Sequence, residues 1–155
     1  MVIGSYSLPP RRAVFLHDER ESKMRRKDRE LTEAEAREVL QRAEYGVLSL
    51  VTADGAPYAV PMSYAAVGDT IYFHGTTEGG AKMDCMAYDS RAVFTAVTDT
   101  HVLPDQFATI YWSVIAAGRM EEITEEAAKT AALEHLLVKY SADYMRAGRR
   151  YIAAN

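Results

Sequence analysis

The stretch Tyr72-Phe73-His74-Gly75-Thr76-Thr77-Glu78-Gly79-Gly80-Ala81-Lys82-Met83-Asp84 holds the residues best suited to chemistry. Three glycines between positions 75 and 80 separate a β-like run ending at His74 from a helix-like run opening near Ala81. Backbone N–H groups in such a loop and at a helix start attract an anion such as a phosphate. Lys82 adds a positive point charge in the first helical turn, where the helix dipole itself disfavours a cation, so a bound anion would compensate. The same residues also read as a plain turn with a solvated lysine. His74 is the side chain best placed to handle a proton, because imidazole titrates near neutrality. A core or interface histidine fits it as well.

Other chemistry is sparse. The chain carries no Walker loop, no dinucleotide-binding fingerprint and no G-x-S-x-G elbow. His17, His74, His101 and His135 are scattered, with no H-E-x-x-H and no C-x-x-C, so no metal is expected. Cys85 is the only cysteine, which excludes an intrachain disulfide and reads as a small buried apolar residue. The aromatic load is 10 Tyr, 4 Phe and 1 Trp. Around Tyr111-Trp112-Ser113, bulky groups fall on both faces of a strand-like run, Ile110–Met120. A strand apolar on both faces is buried on both, which predicts one face in the core and the other at a subunit interface.

Helices and hairpins must position these groups. Thr32-x-x-Glu35 is a capping box, and Ala36, Val39, Leu40 and Ala43 form one apolar stripe behind it. Gly46 ends that helix and opens a strand over 46–52. Asp54-Gly55 predicts a type I′ hairpin turn into a return run over 57–64, where Pro61 marks an edge, bulge or strand end. Gly68-Asp69 turns the chain into a third strand over 70–74. A short helix over 81–88 should bury Met83, Met86 and Ala87, and strands follow over 91–97 and 110–120. A helix over 125–140 with Thr124 as N-cap and a short helix over 142–151 complete the chain. Hairpin-joined strands pair antiparallel, so the expected class is α+β, mainly β, with five strands closing into a small barrel and helices flanking it.

Composition sets the outer limits. A chain of 155 residues, 48% apolar and 26% charged, suits one domain with its own core. No apolar run is long enough for a membrane-spanning helix. Residues 1–30 carry eight basic against five acidic side chains, +3, which leaves −7 on the rest of a chain whose total is −4. A body of that sign repels nucleic acid, and the basic stretch is a weak footprint for it. Residues 1–23 lack the apolar core of a signal peptide and read as a solvated extension, with the domain proper over 24–155.

From Met24 to about Tyr151 the chain resembles the flavin-binding split-barrel superfamily related to pyridoxamine 5′-phosphate oxidase, and within it the 5-nitroimidazole resistance branch. The marks are Met24-Arg25-Arg26-Lys27-Asp28-Arg29-Glu30, Ala43-Glu44-Tyr45-Gly46-Val47-Leu48-Ser49 and Asp54-Gly55-x-Pro57-Tyr58-x-Val60-Pro61-Met62-Ser63-Tyr64. They continue with Ile71-Tyr72-Phe73-His74-Gly75, Glu78-Gly79-x-x-Lys82-Met83-Asp84 and Phe107-x-Thr109-x-Tyr111-x-Ser113-Val114-Ile115. The resemblance implies a small antiparallel FMN-binding split barrel, paired into a homodimer with two cofactor clefts at its interface. By position, Pro61, Met62, Ser63 and Tyr64 would line the ring and ribityl chain of FMN, and Phe73, His74 and Gly75 would flank it. Lys82 and Met83 would hold the phosphate, and Tyr111, Trp112 and Ser113 would approach from the partner subunit.

This chain departs from the family in its loop, which has one residue more and no histidine before Lys82. It also has no counterpart, at Gly148-Arg149-Arg150-Tyr151, of the segment that binds vitamin B6 in true oxidases, so that reaction is not expected. The resemblance implies a cytoplasmic, FMN-dependent oxidoreductase, nitroreductase-like, in which His74 is the catalytic candidate. Its partner would be a small-molecule electron acceptor such as a nitroaromatic. The alternatives are a non-catalytic flavin- or haem-binding module, with FAD or haem in place of FMN, and an interaction protein that kept the barrel and lost the cofactor.

Overall fold

A computed structural model of the chain describes residues 2–7, 27–75 and 79–154, with the backbone alone for 2–7 and 27. Thr76, Thr77 and Glu78 of the glycine-rich loop and the family mark at Met24–Arg26 lie outside the described residues.

Seven strands form one sheet: β1 (Val2–Ser7), β2 (Gly46–Val51), β3 (Pro57–Met62), β4 (Tyr64–Val67), β5 (Thr70–Gly75), β6 (Arg91–Leu103) and β7 (Ala108–Glu122). Their order is β3-β2-β6-β7-β1-β5-β4, and every neighbouring pair is antiparallel. The two edge strands, β3 and β4, are consecutive in the chain with only Ser63 between them. The sheet therefore curls until its edges meet at that residue. Among the described residues four α-helices accompany it: α1 (Glu33–Arg42), α2 (Ala81–Tyr88), α3 (Glu126–Ser141) and α4 (Met145–Ala154). The α+β class with antiparallel strands expected from the sequence is thus observed, with helix and strand in similar amounts rather than mainly β.

Local chemistry explains the elements. The Thr32 N–H donates to Glu35 Oε2 at 2.7 Å and the Glu35 N–H to Thr32 Oγ1 at 3.3 Å, which is the capping box. Behind it, Ala36, Val39, Leu40 and Ala43 are all buried against the sheet. Gln41 Nε2 donates to the Ala66 carbonyl at 2.6 Å, and Arg37 reaches Gly68 and Asp69, so α1 is tied along β4 and its turn. The core centres on Phe94, fully buried, with the Tyr64 ring edge-on at 4.6 Å and Phe73 at 5.1 Å.

Several expectations are corrected. The hairpin at Asp54-Gly55 is not type I′, because only Gly55 has positive φ, 82°. Gly55 N–H donates to the Thr52 carbonyl, and Thr52 N–H to the Ala56 carbonyl, both at 2.9 Å. That is a turn with a glycine bulge, a three-residue loop. The return run over 57–64 breaks at Ser63 into two strands on opposite edges. In α2 the buried residue is Cys85, while Ala87 is exposed. The N-cap of α3 is Glu125, not Thr124: its carboxylate accepts from the Ala127 and Ala128 N–H groups at 2.9 and 2.7 Å. Strands β6 and β7 run further than expected, forming a ribbon interrupted between Thr98 and His101, near Asp99 at φ 52°. Where an added arm is expected over 1–23, residues 2–7 instead lie inside the sheet between β7 and β5.

Candidate functional site

The site is built where the sheet's edges meet. β3 ends at Met62, paired with Gly46 of β2. A Cβ on Gly46 would lie 2.3 Å from Phe94 Cζ and 2.6 Å from the Thr95 carbonyl oxygen, so only glycine lets β2 pass this close to the core ring. β4 begins at Tyr64, paired with Phe73 of β5. One step further along that antiparallel ladder, Ser63 and His74 stand at the same end of the pair, with Gly75 next. Gly79 and Gly80, at φ 80° and 126°, then lead into α2. Lys82, in its first turn, brings its ammonium to 3.8 Å from the Met62 thioether.

Pro61, Met62, Ser63, His74, Gly75 and Lys82 thus share one end of the sheet. Ser63 and His74 are exposed, and Met62, Gly75, Lys82 and Met83 are half-buried. Burial lowers the Lys82 pKa, and among the described residues its recorded polar contact is the thioether, with no carboxylate to balance its charge. A half-buried cation without a counter-ion is a place where an anion gains affinity. Tyr64 and Phe73, by contrast, turn their rings into the core. Only their backbone can border a ligand, because the strand's alternation points them away from Ser63 and His74.

Tyr111, Trp112 and Ser113 lie elsewhere, on the outer half of the β6–β7 ribbon, where Trp112 pairs with Thr98 and Ser113 with Val97. Ile110, Tyr111, Trp112 and Ile115 are all exposed, and Phe107 at the tip is 98% exposed. Both faces of this outer half are therefore uncovered within one chain. The interior face expected over Ile110–Met120 begins only at Val114.

Sequence reasoning missed two residues on α3. Lys139 Nζ sits 3.6 Å above the centre of the Tyr64 ring and 3.3 Å from the Leu40 carbonyl, which also accepts from Tyr64 Oη at 2.8 Å. Burial pushes the Lys139 amine down to about 8 and the Tyr64 phenol upward. Tyr140 Oη accepts from the Tyr64 N–H at 2.8 Å and lies 2.6 Å from the Glu44 carbonyl. These partners are 76 to 99 residues apart in sequence, a distance at which spacing carries no signal. Among the described residues no cluster of three metal-ligating side chains occurs, and no helix is long and apolar enough to cross a membrane.

Comparison with known proteins bears on the fold and the family. The chain matches a conserved hypothetical protein of Mycobacterium tuberculosis with 19% identity and a TM-score of 0.69, covering 84% of this chain and 79% of that one. A FAD and heme binding protein from Mycobacterium smegmatis matches with 22% identity and a TM-score of 0.66, covering 81% of this chain and 63% of that one. A candidate 5-nitroimidazole antibiotic resistance protein from Bacteroides thetaiotaomicron matches with 20% identity and a TM-score of 0.64, covering 71% and 67%. At these identities the likeness is one of fold. No curated protein matches the sequence significantly. The model of the family described as pyridoxamine 5′-phosphate oxidase matches residues 32–153, which takes in every strand of the sheet except β1, helices α1 to α3 and all of α4 but its last residue. The chain belongs to the pyridoxamine 5′-phosphate oxidase family.

Proposed function

We propose that the chain is a flavin-binding oxidoreductase of the 5-nitroimidazole resistance type, working in the cytoplasm as a homodimer and reducing nitroaromatic or related small acceptors. The observation that carries this reading is Lys82: a half-buried ammonium without a described counter-ion, beside the Ser63 corner. A phosphate monoester fits it in charge and in the chemistry of its donor. FMN bound there would supply the redox chemistry, and the protein would bind and orient it. Lys82 holds the phosphate, and the backbone from Pro61 to Tyr64 with that of Phe73 and Gly75 borders the rest. His74, exposed at the end of β5, holds or delivers a proton through its imidazole. The uncovered outer half of the β6–β7 ribbon, with Tyr111, Trp112 and Ser113, is the surface a second copy would cover, excluding water from the site.

A second reading is a flavin- or haem-binding module without catalysis, with FAD or haem as the alternative ligand. The similar fold of a protein described as binding both FAD and heme favours keeping it. Titration of the purified protein with FMN, followed by quenching of flavin fluorescence, tests the proposal with Lys82→Ala as comparison. A lost charge-assisted hydrogen bond is worth about 1.5–3 kcal/mol, so affinity should fall roughly ten- to hundredfold. Equal affinity of the two proteins contradicts the phosphate role of Lys82. Absence of flavin binding by the unaltered chain contradicts the whole reading and leaves the haem or cofactor-free alternatives.

A further inference from the structure

We infer that Tyr140, on α3, is a positioning residue for the cofactor edge of the site: its hydroxyl fixes the Ser63–Tyr64 corner. The inference rests on the flavin reading above and extends it to a residue outside the glycine-rich loop and both edge strands.

At Ser63 the chain leaves one edge of the sheet and enters the other, so the backbone cannot continue either ladder. A backbone donor at such a break needs a partner of another kind. The Tyr64 N–H finds it in Tyr140 Oη at 2.8 Å. The phenol carries one proton and two acceptors compete for it, the Glu44 carbonyl at 2.6 Å and the Tyr64 carbonyl at 2.9 Å. Glu44 belongs to the link between α1 and β2, so one hydroxyl ties that link, the corner and the last turns of α3 together. Burial raises the Tyr140 pKa, and the hydrogen bond that its oxygen accepts from the Tyr64 N–H opposes that rise.

This arrangement has a chemical consequence. Ser63, exposed at the corner, takes its place in the site from the backbone that Tyr140 holds. Its hydroxyl would meet a polar group of the ligand, such as a ribityl hydroxyl or a ring N–H. Tyr140 touches no ligand in this arrangement and acts through Ser63. Tyr140→Phe keeps the ring and removes the hydroxyl.

The test is FMN affinity of four proteins: wild type, Tyr140→Phe, Ser63→Ala and the double variant. All are measured at a temperature where circular dichroism shows each folded. Tyr140→Phe should weaken FMN about tenfold in the Ser63 background and less than twofold in the Ser63→Ala background. A purely structural role would give the same loss in both backgrounds, and that result overturns the inference, as does wild-type affinity in Tyr140→Phe. Amide exchange of the protein without FMN supplies an independent readout. Tyr64 should exchange faster in Tyr140→Phe than in wild type, and equal rates overturn the corner lock even if Tyr140→Phe binds FMN poorly. Failure of wild type to bind FMN, with slow Tyr64 exchange retained, overturns the flavin reading and the positioning role while leaving the lock in place.

Discussion

The carbonyl of Leu40 lies in the last turn of α1, where no helical N–H reaches it. Two donors from distant elements serve it instead, Tyr64 Oη at 2.8 Å and Lys139 Nζ at 3.3 Å. Such redundancy predicts non-additive mutations. Tyr64→Phe keeps the ring against Phe94 and loses one hydrogen bond, about 1 kcal/mol, since Lys139 still serves the carbonyl. Lys139→Met at pH 7 loses the contact over the Tyr64 ring, but it also removes an amine whose charged form burial disfavours. Those effects offset each other to within about 0.5 kcal/mol. In the double variant the buried carbonyl keeps no side-chain donor, a loss of roughly 1–3 kcal/mol. The double variant should therefore lose about 1 kcal/mol more than the sum of the singles. Urea denaturation of the four proteins, with unchanged slopes, measures this. Additivity within about 0.3 kcal/mol would refute the shared capping of Leu40.

Other substitutions test separate links. Gly46→Ala drives a Cβ to 2.6 Å from the Thr95 backbone oxygen as well as into Phe94, so it should cost at least about 1–3 kcal/mol in denaturation. Gly148→Ala meets the Leu137 side chain at 2.2 Å. That side chain can rotate away, so a smaller loss, about 1 kcal/mol, is expected. Thr32→Ala removes the capping box of α1 and should lower stability by about 1 kcal/mol in the same assay. The Lys139 amine, at about 8 when folded and 10.5 when free, binds its proton more weakly in the folded chain. Its contribution is therefore present above pH 10.5 and lost as pH falls to 8. Wild type should gain stability relative to Lys139→Met as pH rises across that interval, and a flat difference contradicts it.

What could be read from sequence was local. The capping box at Thr32 and Glu35, the stripe from Ala36 to Ala43 and the bounds of α2 each depend on a few neighbouring residues. The errors share a physical cause in contacts that spacing does not encode. Glu125 outcompetes Thr124 as a cap because its longer carboxylate reaches two N–H groups at once. Cys85 is the fully buried residue of α2 and Met86 packs partly against the core, while Ala87 is exposed, because helix α2 is set by the sheet beneath it. Alternation on β4 and β5 carries the rings of Tyr64 and Phe73 to Phe94, which leaves only their backbone at the Ser63 corner, a detail that spacing alone does not give. Lys82 is visible in the sequence as a charge placed against the helix dipole, whereas Lys139 and Tyr140 look like ordinary residues near the end of a helix. Strand β1 was hidden because its partners, residues 70–75 and 119–122, are far along the chain.

The central claim is that the corner at Ser63 with Lys82 beside it holds a flavin. The most direct measurement is the visible absorption spectrum of the purified protein after incubation with FMN and removal of free ligand. The account predicts a retained flavin doublet in wild type that is strongly diminished in Lys82→Ala. A Soret band or a colourless wild-type protein would contradict it.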